Sequence, residues 1–331
     1  MNILVLAGGL SPERDVSLSS ASRIAKALIA KGNKVAVLDL YYGIHDVKEF
    51  FFTDDSDEIE DYTVSEKVPD IMQSSDIEAY IGKNVLQCCK MADIVFLALH
   101  GDIGENGKLQ AVLDLYKIKY TGSGYNGCLL SMDKNIAKIL VSAGNIKTAK
   151  WCLNEMEHSI DFPCVVKPLG VGSSIGISMV ENSNEYETAI CEAKKYDSDI
   201  LIEEKICGRE FSVGILNNKA LPVIEIIPKN NEFYNYKNKY QMNLTDEICP
   251  ADIPKHLAAE LKQKAEKIHQ MLNLKFYSRI DFIVDCKNNV YFLEANSLPG
   301  MTPSSLLPQE AAAMGISYED LCNQIAESAL M

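Results

Sequence analysis

Two short β-rich segments near the end of the chain carry its most specific arrangement of chemical groups: Arg279, Ile280 and Asp281 on one, Glu294, Ala295 and Asn296 on the next. Residues i and i+2 of a strand share a face. Glu294 and Asn296 therefore present two oxygen ligands side by side, and a hairpin turn over residues 285–289 lets Asp281 add a third. Clustered carboxylate and amide oxygens without His or Cys suit a hard cation, Mg²⁺ above all, which leaves room for phosphate oxygens. Three ordinary surface polar residues are the alternative. Phe292 and Leu293 argue against it, because they bury the other side of the strand.

A second candidate is VVKPLGVGSSIG (165–176), a strand ending in Lys167 and a loop with Gly170, Gly172 and Gly176. Backbone N–H groups in such a loop can approach phosphate oxygens closely, and Ser173 and Ser174 add hydroxyl donors. The lysine precedes the loop and a strand follows it, so neither G-x-x-x-x-G-K-[ST] nor a helix-opening G-x-G-x-x-G fits. A glycine-rich flap over phosphates and a merely tight β-turn remain open. The third candidate is AGGLSPERDVS (7–17), a strand-to-helix loop at the position where open α/β sheets bind ligands. There Glu13 could hold an ammonium group, and HGDIGENG (100–107), which ends another strand of the same sheet, can face the same crevice. His45, His158, His256 and His269 have no ligand spacing, and no nucleophile elbow supports Ser-His-Asp or Cys-His catalysis.

These groups need elements to position them. Asn2–Leu6 and Val35–Leu38 read as strands around a helix from Val16 to Ile29, the βαβ unit of a parallel sheet, and the apolar run Ile94–Leu99 reads as a buried third strand. Helical stretches follow around Leu129 and Ile139. Strands are expected at 164–167, 175–180, 200–203, 210–216, 220–227, 277–284 and 290–295. An amphipathic helix places Leu257, Leu261, Ile268 and Leu272 on one face. The acidic run between Asp54 and Asp61 reads as a solvated surface.

The 331 residues suffice for two or three domains, and the formal charge of −14, from 46 acidic against 32 basic residues, disfavours a nucleic-acid partner. No apolar run approaches a membrane span, and no secretory leader is expected from the first residues. The ten cysteines show no C-x-x-C spacing, so a reducing cytoplasm and no zinc site are expected.

Taken together, nine motifs in order resemble the D-alanine–D-alanine ligases of the ATP-grasp superfamily over residues 2–326: GGLSPERDVSLSSA (8–21), ALHGDIGENG (98–107), YTGSG (120–124), LSMDK (130–134), VVKPLGVGSSIG (165–176), GREF (208–211), FYNYKNKY (233–240), RIDF (279–282) and LEANSLPGMTPSSL (293–306). The resemblance implies an α/β chain of three domains: an N-terminal domain over 1–121, a central ATP-grasp subdomain over 122–203 and a C-terminal one over 204–331, with ATP between the last two. It implies ATP-dependent joining of two D-alanines through an acyl phosphate, for peptidoglycan precursors, in a cytoplasmic homodimer that needs two Mg²⁺ ions, with Mn²⁺ as a substitute, and no nucleic-acid or membrane partner.

By the same resemblance Lys134, Lys167, Gly172, Ser173, Ser174 and Lys239 serve the nucleotide, with Glu203 toward adenine and Glu210 toward ribose. Asp281, Glu294 and Asn296 are the metal ligands. Glu13 and His100 belong to the first D-alanine, and Ser305 and the Leu306 N–H to the second carboxylate. Arg279 and Gly300 stabilise the oxyanion, and Tyr240 closes a lid over 228–246 by bonding to Ser173 and Glu13. D-serine, D-lactate or another small amino acid as second substrate is the close rival. A non-catalytic nucleotide binder is the other class of reading, as is a dinucleotide oxidoreductase with Asp39 holding a ribose.

Overall fold

A computed structural model describes residues 1–62, 64, 80–154, 160–172, 175–229 and 245–331. In chain order its strands and helices are β1 (Asn2–Ala7), α1 (Arg14–Ala30), β2 (Lys34–Asp39), α2 (Val85–Met91), β3 (Ile94–Leu97), α3 (Asp102–Glu105), α4 (Lys108–Leu115), α5 (Tyr125–Met132), α6 (Lys134–Ala143), β4 (Trp151–Leu153), β5 (Cys164–Pro168), β6 (Ser178–Val180), α7 (Ser183–Ala193), β7 (Ile200–Glu204), β8 (Gly208–Leu216), β9 (Lys219–Ala220), β10 (Ile224–Pro228), β11 (Thr245–Ile248), α8 (Lys255–Met271), β12 (Tyr277–Asp285), β13 (Val290–Asn296), α9 (Leu306–Ala312) and α10 (Tyr318–Ser328).

The first sheet is parallel, in the order β2-β1-β3. Its strands are near-continuous apolar runs because both faces are covered. One of the covering helices comes from the far end of the chain: α10 lies on α1, and Leu321, Cys322, Ile325 and Ala326 join the core built by β1, β2 and β3. A second, antiparallel sheet runs β4-β7-β5-β6, and a third runs β11-β10-β8-β12-β13 with β9 on β8.

In the third sheet the strand period of two sorts the side chains. Phe211, Val213, Ile215, Ile280, Phe282 and Val284 pack on Leu257, Leu261, Ala265 and Ile268 of α8 and on Leu272 just after it. The intervening Ser212, Gly214, Arg279 and Asp281 are left for the opposite face. Three expected strands are shorter than their sequences suggested, the first being the run 94–99, which pairs only over Ile94–Leu97. The segment 175–180 pairs only over Ser178–Val180, after Gly176 with φ +71. The segment 220–227 splits into β9 and β10 around Pro222, which cannot donate to a ladder.

Candidate active site

The hairpin β12–β13 places its polar groups as the spacing requires. Asp281 stands opposite Glu294 and Arg279 opposite Asn296. A β-bulge makes this possible: Asp281 pairs with Glu294 but Phe282 with Phe292, which leaves Leu293 as the extra residue. Phe292 and Ala295 both lie in the α8 core. Without the extra residue Glu294 would share the face of Phe292, so the bulge turns its carboxylate away from the core.

Asp281 is 4 % exposed and is the hub of the cluster. Its Oδ1 accepts from Ser212 Oγ at 2.7 Å and Arg279 Nε at 2.9 Å. Its Oδ2 accepts from Arg279 Nη2 at 2.8 Å and Asn296 Nδ2 at 3.2 Å. Two carboxylates and an amide, with no soft ligand, fit a hard divalent cation. The four lone-pair positions of Asp281 are all engaged, so a cation there would displace one donor. The Asn296 amide, whose contact is the longest of the four, is the natural one to turn its oxygen outward. Among the described residues no group of three or more His, Cys, Asp and Glu forms a metal cluster.

From Glu294 a cleft of about 960 Å³ runs between the second and third sheets. Val165, Ile177, Met179, Ile226 and Leu293 give it apolar walls, and Lys167, Glu203 and Glu210 lie along it. Lys138, one helical turn beyond Lys134, lines it too and is the residue the sequence reading missed. Glu203 takes Lys138 on Oε2 at 2.7 Å and Lys167 on Oε1 at 2.5 Å. Lys138 also donates to Thr148 Oγ1 at 2.7 Å. Burial works against the Glu203 charge, but the two ammonium groups outweigh it and bring the carboxyl down to about 2. Burial, with the positive Lys167 nearby, pulls Lys138 below its ordinary range.

Lys134, at the start of α6, reaches the glycine loop. Its ammonium donates to the carbonyls of Val171 at 2.7 Å and Leu169 at 3.2 Å. This loop meets the first sheet: a Cβ on Gly172 would sit 3.6 Å from Glu13 Oε2, and one on Gly101 3.1 Å from the same oxygen. Glu13 is buried at the start of α1, beyond the carboxyl end of β1. Close by, burial opposes charge on His100, but Glu105, 3.9 Å away, and the field of Glu13 raise its pKa overall.

Asp39 is engaged elsewhere, paired with Arg14 and accepting the Tyr41 and Tyr42 N–H groups at 2.8 and 3.0 Å. It is not poised as a ribose-binding acid. Ser305 begins α9, and its Oγ takes the Thr302 N–H at 3.1 Å; a Cβ on Gly300 would lie 2.9 Å from that oxygen. Ser173, Ser174, Lys239, Tyr240 and His158 lie outside the described residues. His45 and His256 are exposed, and His269 is buried with Ser278 and Asn218 as partners. All ten cysteines are free.

A nucleotide-sized cleft gripped between two antiparallel sheets, with lysines and carboxylates along it, defines an ATP-grasp protein. Models of the D-ala D-ala ligase N-terminus and C-terminus match residues 2–123 and 135–327. The chain is 44% identical to a D-alanine–D-alanine ligase of Pediococcus pentosaceus, covering 98% of this chain and 96% of that protein. It is 40% identical to one of Lacticaseibacillus casei, over 100% and 96%. The crystal structure of a Bacillus anthracis D-alanine–D-alanine ligase complexed with ATP superposes with a TM-score of 0.78 at 27% identity, covering 100% of this chain and 97% of that one. This chain belongs to the D-alanine–D-alanine ligase family.

Proposed function

We propose that this protein joins two D-alanines at the expense of ATP, giving the dipeptide, ADP and phosphate for peptidoglycan precursors. The observation that supports it most is the approach of Gly172, on the loop of the nucleotide cleft, to Glu13 at the end of β1. An ammonium group held by Glu13 brings its own carboxylate beside the nucleotide phosphates.

In the first step that carboxylate attacks the γ-phosphorus and the bond to ADP breaks, leaving an acyl phosphate. In the second, the amine of the other D-alanine attacks the acyl carbon, loses a proton, and the tetrahedral intermediate expels phosphate. Lys134, Lys167, Gly172, Ser173, Ser174 and Lys239 serve the phosphates, while Glu203 and Glu210 serve adenine and ribose. Arg279 and the Gly300 N–H hold the oxyanion, where losing one donor typically costs about 3–4 kcal/mol. His100 sits at the first subsite, and Ser305 with the Leu306 N–H receives the second carboxylate. Tyr240 draws the 228–246 segment over the site and excludes water.

Asp281, Glu294 and Asn296 would hold Mg²⁺, two ions in all with Mn²⁺ as substitute. When bound, the metal neutralises phosphate oxygens that otherwise repel the attacking carboxylate. We place the protein in the cytoplasm as a homodimer, without nucleic-acid or membrane partners. The described residues contain no helix long and apolar enough to cross a membrane. Phosphate release from ATP, screened over D- and L-amino acids, tests the reading. Release that depends on D-alanine is expected, and release indifferent to the amino acid contradicts it.

A further inference from the structure

Glu310, on α9, has no exposed surface, and none of the steps above uses it. It answers a local fault in the third sheet. On one side of β8 the pairing with β10 ends at Ser212, and the pairing with β9 begins only at Ile215. Both main-chain groups of Gly214 turn toward this gap. Its carbonyl accepts the Leu221 N–H at 2.8 Å, and its N–H would be an orphan donor but for Glu310 Oε1 at 2.9 Å.

The contact is possible only because residue 214 is glycine: a Cβ there would collide with Glu310 Oε2 and Leu307 Cδ1. Gly214 is the β8 neighbour of Arg279, and paired residues of adjacent strands share a face. α9 therefore packs on the very face that carries Arg279 and Asp281, with Glu310 four residues after Leu306.

We propose that Glu310 is a positioning residue for the second half-reaction: by holding the Gly214 N–H it locks α9, and with it the Ser305–Leu306 turn, in register with Arg279. The proposal rests on the reading above that this turn receives the second D-alanine. Burial pushes the Glu310 carboxyl well above its ordinary range, although the Gly214 N–H and Arg279 pull it the other way. A neutral amide of the same shape can therefore replace it. Moving α9 would misplace the attacking amine while leaving Glu13, at the start of α1, and the nucleotide cleft, which no α9 residue lines, in place.

The test separates the two half-reactions. Hydroxylamine intercepts the acyl phosphate as D-alanyl hydroxamate without the second D-alanine, whereas dipeptide formation needs it. For Glu310→Met, hydroxamate formation within twofold of the wild type is expected, with dipeptide kcat/KM down tenfold or more and the KM of the second D-alanine raised. Glu310→Gln should restore both. Should Glu310→Met fail to fold, Glu310→Asp withdraws the carboxyl from Gly214 and should show the same split in smaller measure. Equal losses in both products, or no loss in either, would overturn the proposal. A wild-type protein yielding neither product would instead overturn the function it rests on.

Discussion

Glu203 sits between two ammonium groups, and this arrangement gives Lys138 a task that sequence motifs do not show. A buried carboxylate left without a counter-ion costs several kcal/mol, so Lys167 can leave Glu203 for a phosphate only if Lys138 stays. With Lys138→Met, Lys167 becomes the sole counter-ion of Glu203 and is held back from the nucleotide. Steady-state kinetics should then show the ATP KM raised by about tenfold, or ~1.4 kcal/mol, with the D-alanine KM much less affected. A different result is expected at Glu294, which faces the cleft. Glu294→Gln should lower turnover by roughly a hundredfold or more through lost charge at the cation, while the thermal midpoint without ligand stays within a degree or two. Lys167, Asp281 and Glu294 were legible because they stand at a strand end or on paired strands at i, i+2 spacing, whereas Glu203 was reached only through the family resemblance. Lys138 stands at i+4 from Lys134 on α6, a spacing that could have flagged it. Glu310 has no sequence signal, because its partner is a backbone N–H 96 residues away.

At the scale of elements, the βαβ unit, the helix α8 and the β12–β13 hairpin follow from apolar periodicity. The bulge at Leu293 does not. Strict alternation from Phe292 would put Glu294 into the α8 core, and only the pairing shift seen in three dimensions turns it to the cleft. Deleting Leu293 should therefore abolish turnover as Glu294→Gln does but also lower the thermal midpoint, because it drives a carboxylate toward apolar packing. A deletion variant that melts like Glu294→Gln would show that the bulge does not set the facing. The division of 220–227 into two strands escaped the sequence reading for a related reason: a proline interrupts the ladder, and the gap it helps to leave is the one Glu310 fills.

At the scale of the whole molecule, α10 closes the chain onto the sheet formed by its first residues, a long-range contact that no local pattern announces. Global stability also carries a pH signature from His269, which bonds Ser278 at 2.7 Å and Asn218 at 3.0 Å; burial lowers its pKa to about 4. The unfolded chain, with an ordinary histidine near 6.5, binds more protons than the folded one between those values. His269 thus favours folding fully above pH 6.5, and that contribution is lost as pH falls toward 4. Denaturant melts of the wild type should lose about 2 kcal/mol more between pH 7 and pH 5 than those of His269→Gln; parallel losses would contradict this. The proposed reaction needs one continuous site that activates one D-alanine and delivers it to another. Products formed from ATP, D-alanine and Mg²⁺ test this most directly when quantified together by mass spectrometry and phosphate release. D-alanyl-D-alanine, ADP and phosphate are expected in equal amounts, with little ATP consumed when D-alanine is left out. ATP hydrolysed equally fast with and without D-alanine, and no dipeptide, would contradict it.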